Sequence, residues 1–139
     1  MRFPPYYPKA LALHAVLVVA LGLYFIFLRP ALLPEDVRYL GARLPALLAV
    51  APGFGQWLQK VFWVMGGYML TVGWLTLYLA FTSFRGRAPG AFGVVAVAWL
   101  GSIAWMTVVN FMLASDFKWV LLLFSLPGAA ALGLYLLKK

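Results

Sequence analysis

The stretch Val61–Phe84, VFWVMGGYMLTVGWLTLYLAFTSF, runs directly into Arg85–Gly90, RGRAPG. No Asp, Glu, Lys or Arg interrupts the first part, and the second is made of charge and turn residues. A hydrocarbon core takes about 20 helical residues to cross, and lipid leaves no partner for an unpaired backbone group. The stretch therefore reads as a transmembrane helix that ends in a turn at the membrane surface. Three further apolar runs lie on either side of it: Ala10–Leu28, Ala91–Ala114 and Trp119–Leu137. Arg29-Pro30 closes the first, Ser115-Asp116-Phe117-Lys118 separates the last two, and Lys138-Lys139 follows the fourth. These lengths suit helices, because barrel strands need only about ten alternating residues. The predicted fold is an all-α integral membrane protein, one domain over 1–139. It is a bundle of four transmembrane helices (spans 10–28, 61–84, 91–114 and 119–137) with an outer loop over 30–60.

Composition agrees. Of 139 residues, 65% are hydrophobic and 10% charged, too little polar surface to coat a water-soluble globule. The absence of cysteine removes disulfides, thiolate metal sites and thiol nucleophiles. A net charge of +8 suggests nucleic acid in a soluble protein. Here the cations sit at helix ends and form no stripe interleaved with aromatics, so membrane lipids are the expected partner and nucleic acid is not. Phe3, Tyr6, Tyr7, Trp57, Phe62, Trp63, Phe117 and Trp119 flank the spans as an interfacial aromatic belt would.

The first run follows Arg2 and Lys9, as a secretory signal would, but it ends in Leu28-Arg29-Pro30 with no small-residue cleavage pattern. It is expected to stay as an anchor. The cations set the orientation. With both termini inside, the inner side carries Arg2, Lys9, Arg85, Arg87, Lys138 and Lys139, and the outer side carries Arg29, Arg38, Arg43, Lys60 and Lys118 with all the acids.

The loop holds Glu35 and Asp36 just after Pro34. Proline suits the first helical position, and carboxylates in the first turn complement the helix dipole, so the acids mark a helix start. Val37, Leu40 and Leu44 recur at helical spacing, which predicts a short amphipathic helix in the interface, ended or kinked by Pro45. Arg38, Arg43 or Lys60 are the expected partners of the two acids. Ala46–Ala51 is apolar but too short to span, and is expected to form a re-entrant or capping element.

Inside the spans the polar residues are few. His14 is the only histidine, and depth matching places it near Thr76, Tyr78 and Tyr135. Asn110 shares one side of the third helix with Ser102 and Met106. These are candidate ligand contacts or interhelical hydrogen bonds: His14, Tyr78, Asn110 and Tyr135 in the spans, with Glu35, Asp36 and Arg38 in the loop. Gly66, Gly67 and Gly73, and Gly93, Ala98, Gly101 and Ser102, supply small faces for close packing. Pro127-Gly128 should bend the fourth helix. No phosphate-cradling loop, paired histidines, intramembrane acids or nucleophile elbow is present, so the sequence points to no cofactor, no metal and no autonomous catalysis.

The four-span layout, the long outer connection and the run Leu33-Pro34-Glu35-Asp36-Val37-Arg38-Tyr39-Leu40-Gly41 resemble small bacterial four-span membrane proteins of the broad DoxX-like kind. The resemblance implies a bacterial inner (cytoplasmic) membrane and favours an accessory subunit. It carries over no catalytic residue. Two functions are expected from these readings. The first is a structural or accessory subunit of a larger membrane complex or homo-oligomer. The alternative is a binding or transport unit for a lipid or quinone-like molecule, with a cavity inside the bundle.

Overall fold

In a computed structural model, residues 6–137 are described, and among them the regular structure is entirely helical. Arg2, Lys138 and Lys139, placed above at the inner side, and Phe3 of the expected aromatic belt lie outside them. Four helices are long and apolar enough to cross a membrane. They are α1 (Tyr6–Phe27), α4 (Phe54–Phe81), a third span, Ala91–Met112, and α7 (Lys118–Leu137). The third span is α5 (Ala91–Trp99), a π-helical turn (Leu100–Ala104) and α6 (Trp105–Met112).

The connection between the first two spans is shorter and more structured than the sequence suggests. Its amphipathic helix is two helices, α2 (Pro34–Leu40) and α3 (Leu44–Val50). Gly41 takes the left-handed conformation (φ 66°) and its N–H closes α2 on the Val37 carbonyl at 3.0 Å, a geometry glycine adopts without penalty. Leu44 therefore belongs to α3, and Leu40 is exposed. Pro45 does not end a helix; it sits in the first turn of α3, where its missing N–H costs nothing. α3 rests on the start of α4, with the Leu48 side chain beside Gly55. The second span begins at Phe54, not Val61, because Gln56, Gln59 and Lys60 lower the hydropathy without opposing a helix.

α1 is the centre of the bundle. It packs along α4 on one side and α7 on the other, while the third span packs on α7 and meets α4 chiefly through α5. The α1–α4 seam is close because glycines face it. A Cβ on Gly66 would come within 2.7 Å of the Gly22 carbonyl oxygen, and one on Gly73 within 2.9 Å of the Val19 nitrogen. Gly67, Gly93 and Gly101, read above as packing positions, have nothing beyond their own stretch of helix within 4 Å of such a carbon, so none of them forms a helix seam, and Gly101 lines the cavity described below.

At the end of the bundle near Tyr6 and Leu137, the core is aromatic. Tyr7 stands edge-on to Phe84 (5.5 Å between ring centroids) and Tyr135 (5.4 Å), and Phe84 stacks on Tyr135. The Tyr7 hydroxyl donates to the Arg85 carbonyl at 2.9 Å. Arg87 lies 4.2 Å over the Tyr135 ring and donates to the Tyr135 carbonyl, so it caps the end of α7. Tyr7 and Phe62 are thus core residues and not part of an interfacial belt. Trp57, Trp63 and Trp119 do project outward.

Candidate functional site

At the opposite end, the one carrying α2, the bundle is hollow. A cavity of about 680 Å³ lies between α1, α4, the third span and α7, with α2 across its mouth. It has this shape because α4 and α6 diverge. Their facing residues are large, with Met65, Tyr68, Met69 and Val72 on α4 and Trp105, Met106 and Val109 on α6. Tyr68 and Trp105 are both well exposed, so they flank an opening between the second and third spans. Val18, Met69, Ile103 and Leu121 close the packing beneath it.

The mouth is polar, and each charged side chain there has a definite position. Asp36 accepts from the Leu33 N–H at 2.8 Å, which serves the start of α2, and from Arg29 at 3.0 Å. Arg29 lies flat over the Phe62 ring at 3.5 Å, and its second terminal nitrogen donates to the Pro30 carbonyl. Arg38 reaches Asp116 at 2.8 Å in an exposed pair. Glu35 turns inward. Its side chain is buried, lines the cavity, and accepts one hydrogen bond from the Ser115 hydroxyl at 3.2 Å. Ser115 in turn accepts from the Phe117 N–H at 3.1 Å. Three elements are joined this way: α2 is fastened to the end of α1 by Asp36, and to the α6–α7 turn by Glu35 and Arg38. In place of the expected pairing with Arg38, Arg43 or Lys60, Asp36 takes Arg29, seven positions before it, while Glu35 and Arg38 reach the α6–α7 turn about eighty positions away, which sequence proximity does not reveal.

The remaining candidates separate. Asn110 lines the cavity with Ser102 and Met106, and its amide nitrogen donates to the Met106 carbonyl at 2.9 Å. The Ser102 hydroxyl donates to the Ala98 carbonyl. Tyr78 points away from the bundle, 67% exposed, and Tyr135 belongs to the aromatic core at the other end. His14 is fully buried outside the cavity lining, against Gly128, with the Phe124 carbonyl facing its ring. Its Nδ1 has no hydrogen-bond partner among the described residues. Trp99 also packs against Gly128 through its indole Cδ1 and Nε1, and its N–H donates to the Ser125 carbonyl (3.0 Å) and hydroxyl (3.1 Å). Pro127 lies within α7 without ending it, and the carbonyl and hydroxyl two residues before it are served by this tryptophan.

The sequence marks Arg29, Phe62 and Ser115 only as span-end residues and does not single out Trp105, so none of the four is legible there as part of a site. For Ser115 a signal existed, a serine opening the turn Ser115-Asp116 on the same expected side as α2. Among the described residues, no three side chains of the metal-ligating types come together. Comparison with protein-family models, with curated proteins and with solved structures finds no match.

Proposed function

We propose that this chain is a membrane-embedded binding unit for a single-tailed amphiphile, loaded sideways from the bilayer. One observation carries the reading: a cavity of about 680 Å³ whose walls are apolar, whose mouth is polar and whose side is open between α4 and α6. Its size falls in the range of small-molecule sites, about 300–1,000 Å³. An aliphatic tail gains nothing by leaving one apolar medium for another, so the tail's burial alone does not select a ligand in lipid. Selection comes from the head group at the polar mouth, which on the expected orientation lies in the outer leaflet.

The test is photolabelling in lipid nanodiscs with an alkyl chain carrying a diazirine near its end, followed by peptide mapping. Labels should concentrate on Met69, Met106 and Val109, and Met106→Trp should displace them by filling the space. Labelling spread evenly over outward residues such as Val64, Leu75 and Val97 would sink the proposal. A stoichiometric partner chain crosslinked in the α4–α6 opening would replace it with the accessory-subunit reading, since a partner's helix fits the same gap.

A further inference from the structure

Of the polar groups that line the cavity, Tyr24, Tyr68 and Trp105 carry O–H and N–H donors on its walls, while the short side chains Glu35, Asn110, Ser102 and Ser115 are left with acceptors to offer. Glu35 is a carboxylate with a single donor, Ser115, and no basic side chain among the described residues lies within ion-pair distance of it. Asn110 spends its amide N–H on the Met106 carbonyl, which leaves its carbonyl oxygen. Ser102 spends its hydroxyl proton on Ala98, and Ser115 spends its own on Glu35. The nearby cation is Arg29; each of its terminal nitrogens gives one hydrogen bond, to Asp36 and to the Pro30 carbonyl, its charge is paired with Asp36, and it lies over Phe62. The charges balance in the same sense. Among the charged residues that line the cavity, Arg29, Glu35 and Asp36, the first and last pair with each other and the carboxylate of Glu35 is left without an ion pair. A buried carboxylate is costly unless a cation or several donors meet it.

From this we infer that Glu35 is the head-group site of the cavity and takes the primary ammonium of an alkylamine-type amphiphile, with the tail lying against α4 and α6. An ammonium brings three donors and no acceptor, which suits the buried carboxylate of Glu35 with its single donor; Ser102, eight residues or about 12 Å along the helix from Asn110, lies deeper in the cavity, beside the tail. The neighbouring aromatic rings of Tyr24, Phe25 and Phe117 at the same mouth suit a cation as well. An anionic head would meet Glu35 without a free cation to receive it. A trimethylammonium head keeps the charge but has no N–H to donate. This inference rests on the amphiphile reading above and adds the chemistry of the head.

The experiment is native mass spectrometry of the purified full chain in a neutral detergent with four ligands of equal tail: dodecylamine, dodecanol, dodecyltrimethylammonium and dodecyl phosphate. Dodecylamine should exceed dodecanol in occupancy by about tenfold, as expected for one charge-assisted hydrogen bond, with the trimethyl cation between them and the phosphate last. Glu35→Gln should bring the amine down to the level of the alcohol. Equal occupancy of amine and alcohol in the wild type overturns the head-group assignment and leaves the cavity standing. Failure of all four to bind overturns the cavity reading too. An amine preference that survives in Glu35→Gln removes Glu35 from the site. The wild-type comparison needs no variant, so it can overturn the ammonium preference even if Glu35→Gln does not fold. A lysophospholipid with an ethanolamine head, run beside dodecylamine, tells the source: stronger binding points to a lipid head group and weaker binding to a free amine, and either result supports the ammonium site.

Discussion

The two ends of this bundle pack in opposite ways. At the end near Tyr7 and Tyr135, rings interlock and Arg87 seals them; at the α2 end, α4 and α6 stand apart around a cavity. In water, such a gap would be driven shut. In a bilayer it is not, because lipid tails are as apolar as the side chains, so helices approach closely only where small residues or specific contacts allow it. Gly22, Gly66 and Gly73 allow it between α1 and α4. Met65, Tyr68, Trp105 and Met106 do not allow it between α4 and α6.

The sharpest way to break the close-packed side is Gly66→Leu. The added Cβ alone would meet the Gly22 carbonyl at 2.7 Å and the Ile26 side chain at 2.6 Å, and a backbone carbonyl cannot step aside as a flexible side chain can. Overpacking costs about 1–3 kcal/mol, and this substitution should reach the top of that range or prevent folding. An SDS titration of helix content in the purified protein reads it; a midpoint unchanged from wild type would mean that the α1–α4 seam does not hold the bundle. Arg29→Ala comes next. It strips Asp36 of its cation and uncovers Phe62, and the side chains of the pair are only 10% and 25% exposed. Asp36 keeps the Leu33 N–H, so the loss should be about 1–3 kcal/mol. Arg29→Lys should recover part of it, because lysine restores the charge but not the flat stacking on Phe62. Equal loss in both variants would assign the effect to stacking alone.

How far each feature could be read in the sequence follows from how local its cause is. The four spans were legible, since length and apolarity lie within each segment. The π-helical turn was not, because the residues around Gly101 and Ser102 do not announce an extra residue per turn. The glycine seam was half legible: Gly66 and Gly73 stood out, but Gly67 beside them faces away, and Gly22 is a lone glycine in α1 whose role depends on α4. At the site, Asn110, Ser102 and Met106 were correctly grouped on one side of a helix. Their facing an open space was not legible, because a cavity is a property of diverging neighbours. Glu35 and Asp36 were singled out together, and the structure separates them: Asp36 serves the helix start, while Glu35 reaches a serine eighty positions away.

Smaller changes sharpen the comparison. Trp99→Phe removes the indole N–H that reaches the Ser125 carbonyl and hydroxyl beside Pro127. Hydrogen bonds between membrane helices average about 0.6 kcal/mol, so the SDS midpoint should move slightly. A loss of several times that size would show that the contact also fixes the course of α7 around its proline.

The smallest expected effect is at Gly67, next to the residue with the largest. Its Cβ would meet nothing within 4 Å, and surface substitutions away from special features stay within about ±0.5 kcal/mol. Gly67→Leu should therefore leave the monomer's SDS midpoint unchanged, while Gly66→Leu destroys it, which isolates the seam to one face of α4. The pair also tests the two functional readings against each other. If Gly67→Leu leaves the bundle stable but changes the oligomer or releases a co-purifying chain, then the outward face of α4 is covered in the membrane and the accessory-subunit reading gains its first direct support. If stability and assembly are both unchanged, that face meets only lipid, and the cavity on the other side of α4 is left to account for the function.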